Sequence, residues 1–129
     1  MSIQSIIDGR VQVVDGCLLL TLPGGLETRS LDEFRDEVLA VIHARGLKVL
    51  VGNMSEIDVI DAMLITFIED LVNTLRILGC AAVVAGITPQ CAAAMTRMGL
   101  DFGEDVRTVL SVDDAIRLLR DGPVDDAAR

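Results

Sequence analysis

Two short apolar-rich runs open the chain, Val11-Gln12-Val13-Val14 and Cys17-Leu18-Leu19-Leu20-Thr21-Leu22, with Asp15-Gly16 between them. β-prone stretches joined by Asp-Gly predict a hairpin with a two-residue turn, since these residues accept the positive φ such turns need. Pro23-Gly24-Gly25 then breaks the strand. Leu31, Phe34, Val38, Val41 and Ile42 recur at helical spacing, ending at Gly46 as a natural residue just past a helix. Ser30-Leu31-Asp32-Glu33 has capping-box spacing, with Thr28 as a rival N-cap.

Leu47 to Val51 predicts a short buried strand, and Gly52 to Asp61 a loop. Met63, Leu64, Phe67, Ile68, Leu71, Val72, Leu75 and Leu78 follow the 3.6-residue period, so a helix is expected over 62–78, stopped by Gly79. Cys80 to Ala85 is wholly apolar, the pattern of a strand covered on both faces. Thr88-Pro89 supplies an N-cap and a first-turn proline for a helix ending near Gly99. Val106 to Leu110 predicts a last edge strand, and Ser111 starts a helix through Arg120.

The predicted order is ββαβαβαβα. A hairpin followed by alternating helices and strands implies an α/β fold: a mixed sheet with parallel crossovers and about four packed helices. No repeat or linker divides the chain. One domain is expected over residues 1–120, with 121–129 a polar tail.

Composition narrows the function. Half of the residues are apolar (51%), but there are only three Phe and no Tyr or Trp. Aliphatic side chains must fill the core, and base stacking has almost no material. Eleven Lys plus Arg against 20 Asp plus Glu give a net charge of −9, which repels phosphodiester backbones and suits basic protein surfaces. The apolar surplus points to surface covered by partners, in homo- or hetero-oligomers, with exposed positions of the 31–45 helix and the hairpin contributing. No basic, apolar leader opens the chain, and the apolar run from Gly79 to Ile87 is too short to span a bilayer. No membrane insertion is expected, and the cytoplasm is the expected location.

Enzyme signatures are missing from the sequence. It contains no Gly-rich dinucleotide fingerprint and no phosphate-binding loop lysine, and Pro23-Gly24-Gly25 reads as a turn. Cys17, Cys80 and Cys91 show no metal-ligand spacing, and two of them sit in apolar runs as small hydrophobes. His43, the single histidine, falls late in a helix beside Arg45, where a solvated residue is the ordinary reading. No catalytic residue, metal or cofactor is therefore expected. A phosphocarrier or hydrolase using Cys17 or Cys80 is disfavoured by their strand positions.

The informative segment is Asn53-Met54-Ser55-Glu56-Ile57-Asp58-Val59-Ile60-Asp61, with three carboxylates just before a helix. By spacing alone, Asp61 caps that helix and complements its dipole, and Asp58 is solvated. A helix N-terminus can also accommodate a phosphate. The run Val51 to Ala62 resembles the switch segment of STAS domains, the anti-sigma-factor-antagonist family, whose form is roughly Asp-Leu-Ser-x-Val-x-x-Ile-Asp-Ser/Thr. Leu78-Gly79-Cys80, Val83 to Pro89 and Met98-Gly99-Leu100 resemble the segments that follow. Gly86-Ile87-x-Pro89 is similar to the stressosome scaffold branch of that family.

The resemblance, which spans roughly Val11 to Leu119, implies a mixed sheet with helices and a non-enzymatic role. Such domains assemble with related STAS subunits and bind a serine/threonine switch kinase, in a stressosome-type complex that regulates an alternative sigma factor. Phosphorylation at the start of the second helix changes partner affinity. The family acceptor aligns with Ala62, and a second acceptor with Thr28; Ser55 is another nearby hydroxyl. Asn53 stands where aspartate is usual, and Ala62 stands where the hydroxyl residue belongs, so phosphorylation at 62 is chemically impossible. Asp58, Asp61 and Met63 are the expected docking residues. A STAS subunit docked on a lipid or anion transport complex is the alternative reading.

Overall fold

The computed structural model describes residues 11–24, 28–103 and 106–121, with side chains omitted at 28–30. The elements are β1 (Val11–Val14), β2 (Cys17–Thr21), α1 (Thr28–Arg45), β3 (Val49–Asn53), α2 (Ala62–Ile77), β4 (Ala81–Ala85), α3 (Pro89–Met98), β5 (Arg107–Val109) and α4 (Val112–Asp121). The sheet order is β1-β2-β3-β4-β5. β1 and β2 are antiparallel, and β2 to β5 are parallel. Asp15 and Gly16 both take positive φ, 50° and 80°, so the hairpin turn is the two-residue kind that the sequence predicts.

Neighbouring parallel strands joined by right-handed crossovers put every connecting helix on one face of the sheet. The core agrees. Leu18, Leu20, Leu50 and Val84 point toward Phe34, Val38, Leu71 and Leu75 of α1 and α2, with Cys91 and Met95 of α3 in the same cluster. The alternate residues Leu19, Val51, Val83 and Ala85 face the other way, where α4 covers them through Val112, Ala115 and Leu119. β4 is thus buried on both faces, as its unbroken apolar run predicts.

Helix ends account for the register. Gly46, at φ 62°, lies just past α1; its amide donates to the His43 carbonyl at 3.3 Å, and the Leu47 amide to the Ile42 carbonyl at 3.1 Å. This paired closure is a Schellman motif, and α2 and α3 end in the same way at Gly79 and Gly99. Leu47 is therefore spent on closing a helix. The strand expected over 47–51 runs instead over Val49–Asn53, where each residue has a ladder partner on both sides. β4 likewise begins at Ala81 rather than Cys80, whose amide closes α2.

A further correction concerns α1. Its helical backbone already includes Thr28, so Ser30 lies inside the first turn and is not the residue before the helix. The rival cap Thr28 is itself the first helical residue. Ser111 does serve its predicted role, its hydroxyl accepting from the Asp114 amide at 3.1 Å. Asp121, placed in the tail by the sequence, is the last residue of α4; residues 1–10 and 122–129 lie outside the described residues. Among the described residues no helix is long and apolar enough to cross a membrane.

Ala115 is fully buried and is the one buried residue of α4. Its small side chain sets how closely the helix approaches β3 and β4. Ala115→Leu is expected to destabilise the protein by about 1–3 kcal/mol through overpacking, read as a lower urea midpoint. An unchanged midpoint would show that α4 is not held against the sheet there.

Candidate functional site

The loop from Met54 to Asp61 crosses the end of the sheet where the parallel strands finish, the usual place for sites in α/β folds. Its shape follows from a three-residue spacing of apolar side chains. Met54, Ile57 and Ile60 are buried, while Ser55, Glu56, Asp58, Val59 and Asp61 are exposed between them. Burying each anchor is worth roughly 1.5–3 kcal/mol. The polar residues are thus displayed on a base that cannot move without exposing the core.

Hydrogen bonds fix the details. The Met54 amide donates to the Ala85 carbonyl at 2.8 Å, extending the β3–β4 ladder by one link, and the Ile57 amide donates to the Met54 carbonyl at 3.1 Å. The Leu22 amide donates to the Asn53 carbonyl at 3.0 Å, which ties in the exit of β2. The Asn53 side-chain oxygen accepts from the Ser55 amide at 3.1 Å. Asparagine in place of the family aspartate keeps this acceptor, removes the charge and exchanges the second carboxylate oxygen for an amide donor. Gly86 makes room for it: at φ 75°, a Cβ there would lie 2.6 Å from Asn53 Oδ1. The Cys91 thiol, in the first turn of α3, donates to the Ile57 carbonyl at 3.0 Å and closes the loop from beneath.

At the end of the loop, Asp61 has extended backbone and caps α2, its Oδ1 accepting from the Leu64 amide at 2.8 Å. The capping assignment from spacing is thus the structure's arrangement. Ala62 is the first residue of α2 and is exposed, as is Met63 behind it. Asp58 is exposed in mid-loop. Ser55 is exposed two residues past the strand, and Thr28 opens α1 after the exit of β2. All these positions belong to the sheet end at which α1 and α2 start.

The sequence gives no sign of two residues that matter here. Val59 is an apolar side chain left in solvent between two aspartates. Cys91 carries no signal of its own in the sequence, and its bond to Ile57 spans 34 positions. Neither is visible without the tertiary contact.

The residues considered for catalysis lie elsewhere. His43 is exposed in the last turn of α1, at the opposite end of the sheet. Burial pushes the Cys17 thiol upward, and the Asp15 charge adds to this. Burial also raises Cys80, only partly offset by Lys48. Both favour the protonated thiol, the opposite of an activated nucleophile. Among the described residues no group of three His, Cys, Asp or Glu side chains converges on one point.

Asp61 and Asp58 are separable by mutation. Asp61→Ala should lower stability by about 0.5–2 kcal/mol, because the Leu64 amide loses its acceptor. Asp58→Ala should stay within about 0.5 kcal/mol of the parent, as exposed substitutions usually do. Urea denaturation measures both, and equal effects would remove the capping assignment.

Comparison with known proteins agrees with this arrangement. A family profile described as STAS domain matches residues 10–115. The RsbT co-antagonist protein RsbRD of Bacillus subtilis is 28% identical over 104 residues, covering 81% of this chain and 37% of that protein. The chain therefore spans little more than a third of that curated relative. Among solved structures, RsbS of Moorella thermoacetica in a serine-to-glutamate variant superposes with a TM-score of 0.75 at 26% identity, over 86% of this chain and 96% of that one. A sulfate transporter family protein of Wolinella succinogenes shares the fold, with a TM-score of 0.67 at 22% identity over 84% of this chain and 88% of that one. A mixed five-stranded sheet, the helices packed on it and a family match over most of the sequence agree: the chain belongs to the STAS domain family.

Proposed function

We propose that this chain is a non-enzymatic STAS scaffold or antagonist. It binds a serine/threonine switch kinase and related STAS subunits in a stressosome-type complex that regulates an alternative sigma factor. It acts in the cytoplasm as one domain that extends through the last helix to Asp121. The observation that carries this reading is the loop itself: acidic and apolar side chains exposed on a base fixed by three buried anchors. Such a surface suits a partner that offers basic groups around an apolar recess. The relatives support the same direction, one named as a co-antagonist of RsbT and another solved within the stressosome architecture.

Ala62 gives the proposal its regulatory content. A phosphoryl group there would add about −1.5 to −2 charges beside Asp58 and Asp61, repelling an acidic partner surface or recruiting an arginine. Alanine removes the hydroxyl while keeping a strong helix former at the first turn. The chain is thereby held in its unmodified, partner-competent state. Asp58, Asp61 and Met63 are assigned to docking, and the exposed Val59 is proposed beside them.

Calorimetric titration against the cognate switch kinase and a related STAS subunit tests the proposal. The parent chain should bind, and Met63→Ala or Val59→Ala should weaken binding by about 1 kcal/mol or more if either is an anchor. Ala62→Ser should gain one phosphate from active kinase, seen by mass spectrometry. Binding to neither partner overturns the proposal. No phosphate on Ala62→Ser overturns the acceptor alignment, and phosphate on the parent chain moves the acceptor to Thr28 or Ser55.

A further inference from the structure

The sequence expectation is that α1 and the hairpin expose apolar side chains. Among the described residues α1 exposes no large one and the hairpin exposes only Val13, which corrects it. The apolar side chains beside the hairpin turn line a cleft instead. Val14 of β1, Cys17 of β2 and Val49 of β3 are successive ladder partners, so they share one face of the sheet. It is the face on which α4 lies, since Val49 packs there with Ala115. The helix itself packs chiefly on β3, β4 and β5, which leaves the hairpin side of that face open.

Between these three strand residues and Ile116 and Leu119 of α4 lies a cleft of about 490 Å³. Small-molecule sites run from roughly 300 to 1,000 Å³ and are walled mainly by apolar groups. All five of these side chains are half-buried, so each still has apolar surface to cover. An aliphatic tail would cover it.

The rim carries three exposed charged side chains, Asp15, Lys48 and Arg120. Arg120 donates to Asp15 Oδ2 at 3.1 Å, so these two charges offset one another. Arg120 also stands in the last turn of α4, where its charge complements the negative end of the helix dipole. Asp121, next along the helix, is exposed and does not line the cleft. Lys48 has no ion pair among the described residues, which leaves one positive charge over on the rim.

We propose that this cleft binds a small aliphatic monocarboxylate. Its tail lies between α4 and the floor of Val14, Cys17 and Val49, and its single negative charge lies beside Lys48. A carboxylate meets an ammonium as a point charge. A neutral head group leaves Lys48 unpaired, a cationic one is repelled by it, and a second negative charge is opposed by Asp15. The site is at the starting end of the parallel strands, where Cys17 and Val49 each open a strand, and the loop from Met54 to Asp61 is at the other end. The inference therefore goes beyond the proposed function and does not depend on kinase binding.

Cys17 reports on the cleft, because Cys80 and Cys91 are buried and Cys17 is not. Alkylation of the full chain by N-ethylmaleimide is followed by mass spectrometry, at mildly alkaline pH because burial raises the Cys17 thiol. Saturating sodium octanoate should slow alkylation of Cys17 about tenfold. Octanoate should bind more tightly than hexanoate, by up to about fourfold for each added methylene that the walls cover. Octanol and octylamine should each protect less than octanoate at equal concentration. Lys48→Ala, an exposed change, should weaken octanoate about twofold to fivefold and leave octanol unchanged. Ile116→Phe should fill the cleft, so that octanoate no longer alters the rate. Should thermal melts show that variant unfolded, the chain-length series in the parent carries the test of the walls. Alkylation unaffected by octanoate overturns the inference, as does equal protection by octanol or octylamine, or protection that ignores chain length. Protection that grows with protein concentration in the absence of octanoate gives the cleft to a second copy and overturns it too.

Discussion

The bond from the Met54 amide to the Ala85 carbonyl joins the exits of the two central strands, and the loop that displays the site continues from it. As a single hydrogen bond it contributes only about 0.5–1.5 kcal/mol net. Its importance is geometric: it fixes where Met54 enters the core, and the spacing to Ile57 and Ile60 then fixes the rest. Those three burials together outweigh the loop's hydrogen bonds, so packing holds the loop in place and hydrogen bonding selects its conformation. Asn53, Gly86 and Cys91 complete the selection from the neighbouring strand exits and from α3.

A surface held in this way suits recognition. Asp61 is committed to the Leu64 amide, while Asp58 and Val59 face solvent. An exposed side chain such as Asp58 can be changed without unfolding the domain, whereas the buried anchors beneath it cannot. The described helices run opposite to the parallel strands, so their N-termini gather at the end of the sheet that carries the loop.

Local chemistry made much of the fold legible in the sequence. Asp15-Gly16 defines its turn within two residues, Thr88-Pro89 defines the start of α3, and the apolar run ending at Ala85 announces a strand with two covered faces. Errors arose where two local signals compete for the same residues. Leu47 looks like a strand residue but closes a helix, and Ser30-Leu31-Asp32-Glu33 looks like a cap but lies within α1. The candidate site was partly legible: capping spacing located Asp61, and the family resemblance singled out Ala62. The supports of the site were not, because Cys91 acts on a carbonyl 34 residues away and Gly86 matters only for its closeness to Asn53.

The central claim is that the loop and the first turn of α2 form the surface that partners cover. Hydrogen exchange read by mass spectrometry, on the chain alone and with the switch kinase bound, tests it most directly. The account predicts slower exchange concentrated over residues 54–66, with β1 and the last turns of α2 and α3 unchanged. Protection confined to β1 or to the helix C-termini, with the loop exchanging as in the free chain, would contradict it.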